Sequence, residues 1–442
     1  MASQNALTDP TLTIIFATSP TGLGHLRVTD ALYHGLPKDT SPVLLGAQDP
    51  SVGAIYRFVS IHPLTRRLME LVELPPLDIP FAYYGRMILR SRINLLYQQL
   101  KTILSERLVV SKTVLVVVTH TILGQQLGAI KMKLANELGI KIILVVQVTD
   151  DSPQPIWYNY DADLILVPSQ FTKEHLLSYA KKTKLPLVPV EVIAYPISPL
   201  LAEDLSAHAF SERLEQFNPD SLKNIQISVP VPGAAVGTSF MATYINILHQ
   251  FSQRFMFHVI SREARYTKPF LQDMSQLPYV KLYTSLHDRT TVDNYEQVLR
   301  ESPIAFEITK PSEQAFKALA TPKQRGGVIL LFAQPIGGQE YDNLHFLRNH
   351  GLMPSKHENS VLWHLAKQKE QIPAEFIEKA HHWRALRLPI DPYDAATFTT
   401  WGLQQKLFLA MAHYTREQHG DEVKSNGVEQ FWHKVEQLLA IK

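Results

Sequence analysis

The chain of 442 residues contains no cysteine, which excludes disulfides and thiolate chemistry and fits a reducing, cytoplasmic setting. It also lacks a strong charge of either sign. A formal net charge of +2 is too small for phosphate-backbone recognition, so nucleic acid is not an expected partner. No run of about 20 apolar residues occurs, which argues against a membrane-spanning helix. The polar start, MASQNALTDP, lacks the basic and apolar regions of a signal peptide. Fixed-period repeats and low-complexity tracts are absent as well.

What is present is a folded composition, 45% hydrophobic and 19% charged, in a chain long enough for two or three domains. Short β-branched runs alternate with segments of helical period, the pattern of parallel sheets with crossover helices. LTIIFA, SPVLL, TVLVVVTH, KIILVVQV, DLILVPS and VEVIAYP are the expected strands of a first sheet. NIQISVPV, FMFHVIS, YVKLYT, PIAFEIT and GVILLFA are those of a second. The spacing of Leu89, Ile93, Leu96, Leu100, Leu104 and Leu108 predicts one long amphipathic helix, with Arg86, Arg90, Lys101 and Arg107 largely off its apolar face. LGAIKMKLANELG predicts another, closed at Gly139 by a left-handed cap.

The polar stretch from about Ser198 to Ser221 reads as the domain linker. Beyond Leu352 the chain reads as helical without strands. The expected architecture is α/β: a Rossmann-like domain over residues 1–200, a second over 201–400, and C-terminal helices over 401–442 that return to the first domain.

The first motif is SPTGLGHLRVTDAL, a glycine-rich turn between strand and helix. Gly22 and Gly24 either permit a tight turn, with His25 capping the helix, or present backbone amides to a phosphate or oxyanion. An unperturbed imidazole titrates at about 6.5, the range that suits a general base near neutrality, and His25 supplies one. His120 ends TVLVVVTH at the carboxyl edge of the same sheet, where ligands of open α/β sheets gather, although backbone can also satisfy a histidine there. In VTDDSPQPIWYNYDADLILVPS, Asp150 and Asp151 end a strand and can orient a histidine or hold sugar hydroxyls. Asp161 and Asp163 read as turn formers, and Ser169 as a helix cap.

The second half repeats the logic. ISVPVPGAAVGTSF is a strand, a loop and a helix in which Gly233, Gly237, Thr238 and Ser239 offer amides and hydroxyls. FEITKPSEQAFKAL places Lys310, Ser312 and Glu313 at a helix start. PIGGQEYDN supplies Gly338, Gln339, Glu340 and Asn343. Lys310 is a candidate phosphate partner, and Glu313 or Glu340 can accept bonds from sugar hydroxyls, or these residues are caps and solvated helix faces.

In this order the motifs resemble the GT-B fold of nucleotide-sugar glycosyltransferases, in the branch of monogalactosyldiacylglycerol synthase and MurG. The resemblance rests on GLGH, Thr119–His120, Val148 to Asp150, Trp157, Asp161, Val167 to Ser169, GAAVGTS, ITKPS and PIGGQEYDN, over residues 12 to 351. It implies two Rossmann-like domains facing a cleft, and an inverting transfer of sugar from a UDP-sugar to a hydroxyl, with a lipid as one acceptor. His25 would be the base, with Asp150 and His120 beside it. Gly237, Thr238, Lys310, Gln339 and Glu340 would hold the donor, with no metal or further cofactor. Two departures stand out: Lys317 lies near the position of the family's glutamate, and GLGH has one glycine fewer than GGGH.

A sugar-nucleotide epimerase or hydrolase would share this fold, as would a binding protein that has lost donor chemistry. Arg57, Arg66, Arg67, Arg86, Arg90 and Arg92 fall near Tyr83, Tyr84, Met87, Ile88 and Leu89, an expected surface for anionic lipid and peripheral membrane contact. The alternative is that the apolar face packs inward and the arginines are solvated.

Overall fold

A computed structural model describes residues 6–18, 23–46, 78–106, 111–332, 335, 337–414 and 420–440. Gly22, Arg57, Arg66, Arg67, Arg107 and Leu108 lie outside them. The chain divides into two compact units. One comprises Met1–Ser198 with Gly337–Gln339 and Asn426–Lys442; the other comprises Pro199–Ile336 with Glu340–Ser425.

In the first unit the strands are β1 (Leu12–Thr18), β2 (Val43–Gly46), β3 (Thr113–Val118), β4 (Lys141–Gln147), β5 (Leu164–Val167) and β6 (Val190–Val192). All pair in parallel in the order β2-β1-β3-β4-β5-β6. The run TVLVVV is buried along five of its six residues, as a strand covered on both faces requires. Leu123, Leu127, Ile130 and Leu134 cover one face from the helix Thr121–Leu138. Each such side chain contributes about 1.5–3 kcal/mol by burial. Gly139 ends that helix at φ +64°, as expected.

The second unit holds β7 (Ile225–Pro230), β8 (Phe255–Arg262), β9 (Val280–Ser285), β10 (Phe306–Thr309), β11 (Val328–Leu331) and β12 (Ala385–Arg387). Their order is β12-β11-β10-β7-β8-β9, again all parallel, which is the Rossmann arrangement. The α/β class and the two Rossmann-like sheets are those the GT-B resemblance implies. Strand order reverses between β1 and β3 in one sheet and between β7 and β10 in the other.

Four expectations need correction. The long amphipathic helix is two, Asp78–Ser91 and Asn94–Ser105. They break at Arg92, whose carbonyl oxygen accepts a bond from Gln126 Nε2 (2.8 Å). The linker contains the helix Ala207–Phe217, whose Arg213 is buried and donates to the carbonyl oxygens of Pro322, Gln324, Arg325 and Gly326. A strand, β12, does occur beyond Leu352. Finally, the segment after Ser312 is a short 3-10 turn, Glu313–Leu319, and not an α-helix. The last helix, Gly427–Ala440, belongs to the first unit: Trp432 Nε1 donates to Leu32 O (2.9 Å), and Gln430 Oε1 accepts from Ala194 N (3.0 Å). Among the described residues no helix is long and apolar enough to cross a membrane.

Candidate functional site

Loops at a strand-order reversal leave a crevice at the carboxyl edge of a parallel sheet. In the first unit this edge carries His25, in the first turn of the helix Leu23–His34 that follows β1, and His120, which follows β3. The two rings meet edge to face with centroids 4.8 Å apart. His25 Nδ1 lies 3.1 Å from Thr149 Oγ1, just beyond β4. When Nδ1 carries the proton and donates to Thr149, Nε2 holds the lone pair that a base needs.

The backbone is fixed as firmly as the ring. Thr29 Oγ1 donates to His25 O (2.8 Å) and Thr119 Oγ1 also points at that oxygen (3.3 Å). Thr149 is held in turn, because Tyr195 Oη donates to its carbonyl oxygen (2.9 Å). Burial, and then the charge of His25, push the His120 imidazole well below its usual range. His120 is therefore neutral at pH 7, and it walls the site as an uncharged ring. Trp157, buried in the 3-10 turn Pro155–Trp157, lies 6.4 Å from the His25 ring between centroids.

The aspartates separate into different tasks. Asp150 is half-buried and directly follows Thr149, the residue whose hydroxyl meets His25. Asp151 is buried and accepts from Ser169 Oγ and from Thr172 Oγ1 (2.7 Å), while Ser169 caps its helix as expected. Asp161 pairs with Arg90 (2.5 Å) and Asp163 with Lys131 (2.6 Å).

In the second unit the reversal lies between β7 and β10, and the expected donor residues follow these strands. Gly237 caps the helix Thr238–Phe251 at φ +82°, and a Cβ there would stand 2.3 Å from Phe332 Cε2. Only glycine fits both demands. The helix start presents backbone amides, as at Thr238 and the exposed Ser239, to an anion. Gly233 O accepts from Tyr266 Oη (2.9 Å), which anchors the loop.

After β10, Lys310 Nζ forms an ion pair with Glu340 in the first turn of the helix Gly337–Asn349, and both side chains are largely buried. The candidate phosphate partner and a candidate hydroxyl acceptor thus hold each other. Ser312 and Asn343 are buried and Glu313 is half-buried. Gly338 and Gln339 also stand in that first helical turn and are grouped with the first unit. Gly24 is the second residue of the helix that carries His25.

Lys317 points into the core. Its Nζ donates to Glu307 Oε2 (2.9 Å) and lies 3.7 Å from the centroid of the Tyr295 ring, while Tyr295 Oη donates to the same carboxylate (2.7 Å).

The surface around the helix Asp78–Ser91 differs from expectation in its charges. Arg86 is buried and donates to Tyr179 Oη (3.2 Å), Pro155 O (3.2 Å) and Tyr158 O (3.1 Å), bonds that offset the cost of taking a guanidinium out of water. Arg90 is drawn to Asp161. What the helix exposes is apolar: Ile79, Phe81, Tyr83, Tyr84, Met87 and Ile88. Thr149, the residue of VTDD whose hydroxyl meets His25, carries no sequence pattern that sets it apart.

No family model matches the chain, and no curated protein sequence does. Solved structures align along nearly all of it at low identity. UDP-GlcNAc 2-epimerase from Neisseria meningitidis, bound to UDP-GlcNAc, is 11% identical with a TM-score of 0.49, over 96% of this chain and 99% of that one. S. aureus MnaA, solved with UDP, is 12% identical at 0.46, over 97% and 98%. Acinetobacter baumannii MurG is 11% identical at 0.43, over 96% and 99%.

Proposed function

We propose that this chain transfers a sugar from a nucleotide-sugar donor, a UDP-sugar, to a hydroxyl acceptor with inversion. The observation that carries the reading is His25 at the reversal of the first sheet, its Nδ1 anchored on Thr149. Nε2 takes the acceptor proton as the hydroxyl oxygen attacks the anomeric carbon. The bond from that carbon to the nucleoside diphosphate breaks, and the diphosphate leaves with the electron pair. Its charge suits Lys310 and the helix start after Gly237.

A lipid acceptor is the preferred class. Arg86 ties the exposed apolar helix Asp78–Ser91 to the turn that carries Trp157, beside His25. With Arg86 and Arg90 turned inward, apolar contact would contribute more to membrane binding than charge.

Titration calorimetry with UDP-, GDP- and dTDP-sugars tests the donor, and no binding to any of them rejects the proposal. Given a donor, His25→Ala should lower turnover about 10²- to 10⁴-fold and leave donor affinity nearly unchanged. Sedimentation with neutral and anionic liposomes tests the lipid surface; equal recovery in the supernatant with and without vesicles rejects it.

One observation favours a second reading. Lys317, near the family's donor glutamate, is consumed by Glu307 in the core, as expected of a binding protein that keeps the fold without donor chemistry. Donor binding without turnover on any hydroxyl acceptor would support it over the first.

A further inference from the structure

Where the first sheet reverses its order, three threonines gather at the carboxyl ends of β1 and β3. Thr18 ends β1, Thr119 directly follows β3, and Thr29 lies one turn after His25 in the helix Leu23–His34. All three are buried. A hydroxyl has one proton to give. Thr29 Oγ1 gives its proton to His25 O (2.8 Å), so in the 2.8 Å contact between Thr29 Oγ1 and Thr119 Oγ1 the donor is Thr119. The other approaches of Thr119 Oγ1, to Thr18 Oγ1 and to His25 O, are longer, both 3.3 Å. In a helix the carbonyl oxygen of residue i is ordinarily served by the N–H of residue i+4, so His25 O does not need a hydroxyl to be satisfied. Threonine is also a weak helix former, and its bond to the carbonyl one turn back tends to bend a helix. Two buried hydroxyls directed at one carbonyl oxygen, at a cost to the helix, fix the place of the residue that owns it.

We infer that Thr29 and Thr119 are positioning residues for His25: the relay from Thr119 through Thr29 to His25 O sets the first turn of the helix against the end of β3. A ring held only through Nδ1 can pivot about that one bond to Thr149 and carry Nε2 off the line of approach of a hydroxyl. Fixing the backbone at His25 O removes the pivot, and the ring keeps both its bond to Thr149 and its edge-to-face contact with His120. This role rests on the proposed transfer for its place in function, but the relay belongs to the fold, and its hold on His25 can be read without turnover. Thr29 touches His25 O directly and Thr119 acts mainly through Thr29, so loss of the Thr29 hydroxyl should matter more.

The experiment follows the His25 imidazole by nitrogen NMR in the full chain, its signals assigned by their loss in His25→Gln. Wild type, Thr29→Val, Thr29→Ser and Thr119→Val are compared, each checked by thermal melting; Thr29→Ala repeats the test where Thr29→Val does not melt cooperatively. In wild type the two ring nitrogens should differ as in a fixed tautomer with the proton on Nδ1. Thr29→Val should draw them toward the averaged pair of a mobile histidine, Thr119→Val should do so less, and Thr29→Ser should stay near wild type. Kinetically, Thr29→Val should lower kcat about tenfold with KM for the donor nearly unchanged, and Thr29→Ser should recover most of the rate. Wild-type His25 signals in folded proteins that lack the Thr29 hydroxyl overturn the inference, as does an equal shift in Thr29→Ser, a larger shift in Thr119→Val, or an averaged pair in wild type. Signals that respond as expected in a protein that transfers no sugar would keep the positioning role and reject the proposed transfer. Transfer that is lost in His25→Ala but indifferent to Thr29→Val would do the reverse.

Discussion

Thr149 Oγ1 and His25 Nδ1 are 3.1 Å apart, so the ring that would take a proton is oriented by a neutral hydroxyl. A carboxylate in that place would stabilise the imidazolium; a hydroxyl fixes direction with little added charge. Thr149→Val should therefore lower kcat about tenfold to a hundredfold and leave KM for the donor nearly unchanged, whereas Thr149→Ser should recover most of the rate. Steady-state kinetics separates these outcomes, and an equal rate in Thr149→Val would exclude the orienting role.

Lys317 and Glu307 form a buried pair whose partners depend on each other. Removing the cation alone, Lys317→Met, should cost about 3–5 kcal/mol because a carboxylate is left in the core. The double variant with Glu307→Gln should be more stable than Lys317→Met alone. Chemical denaturation of wild type, both single variants and the double gives the coupling, and additive effects would show that the two do not interact.

His258 is buried on β8 with Nε2 against Gln226 Oε1 (2.7 Å), and burial, then Lys281, lower its pKa to about 4. Above the unfolded value, about 6.5, the imidazole is neutral in both states and pH has no effect through it. Between about 6.5 and about 4 the unfolded chain takes up the proton first, so stability falls with pH, by about 3 kcal/mol at most, and then levels. His258→Gln should flatten that part of the profile. Denaturation at several pH values from 7.5 to about 4 compares the two proteins, and parallel profiles would reject the assignment.

Gly237 combines φ +82° with a close approach to Phe332. Gly237→Ala should lower stability by about 1–3 kcal/mol through strain and the displaced ring. It should also weaken phosphate-bearing ligands more than Ser239→Ala does, since the loop geometry and not the exposed hydroxyl sets the amides. Melting and calorimetry on the two variants check this, and equal effects would count against it.

Most of the fold was legible because parallel strands write themselves as continuous β-branched runs, as TVLVVV does. β12 escaped because it is three residues, Ala385–Arg387, and its pairing partner β11 lies more than 50 residues earlier, too far for any local pattern. The break at Arg92 was hidden for a related reason: Gln126, on another helix, captures its carbonyl oxygen, and the leucine spacing runs on regardless. At the site, the glycine turns and histidines carried a signal that Thr149 did not. A threonine at a strand end acquires meaning only from what the neighbouring strands place beside it.

The helix Gly427–Ala440 completes the first unit, with Trp432 bonded to Leu32 and packed edge-on against Phe16, and Gly427 so close to Ala194 that a methyl group would collide. During synthesis the first unit is therefore made early and finished late. Its inner wall stays open on the ribosome until the entire second unit has been translated, and the emerging chain must keep that wall from sticking to its neighbours in the meantime. A stop codon just before Gly427 would leave every residue of both proposed sites in place and still deprive His25's own helix of its support.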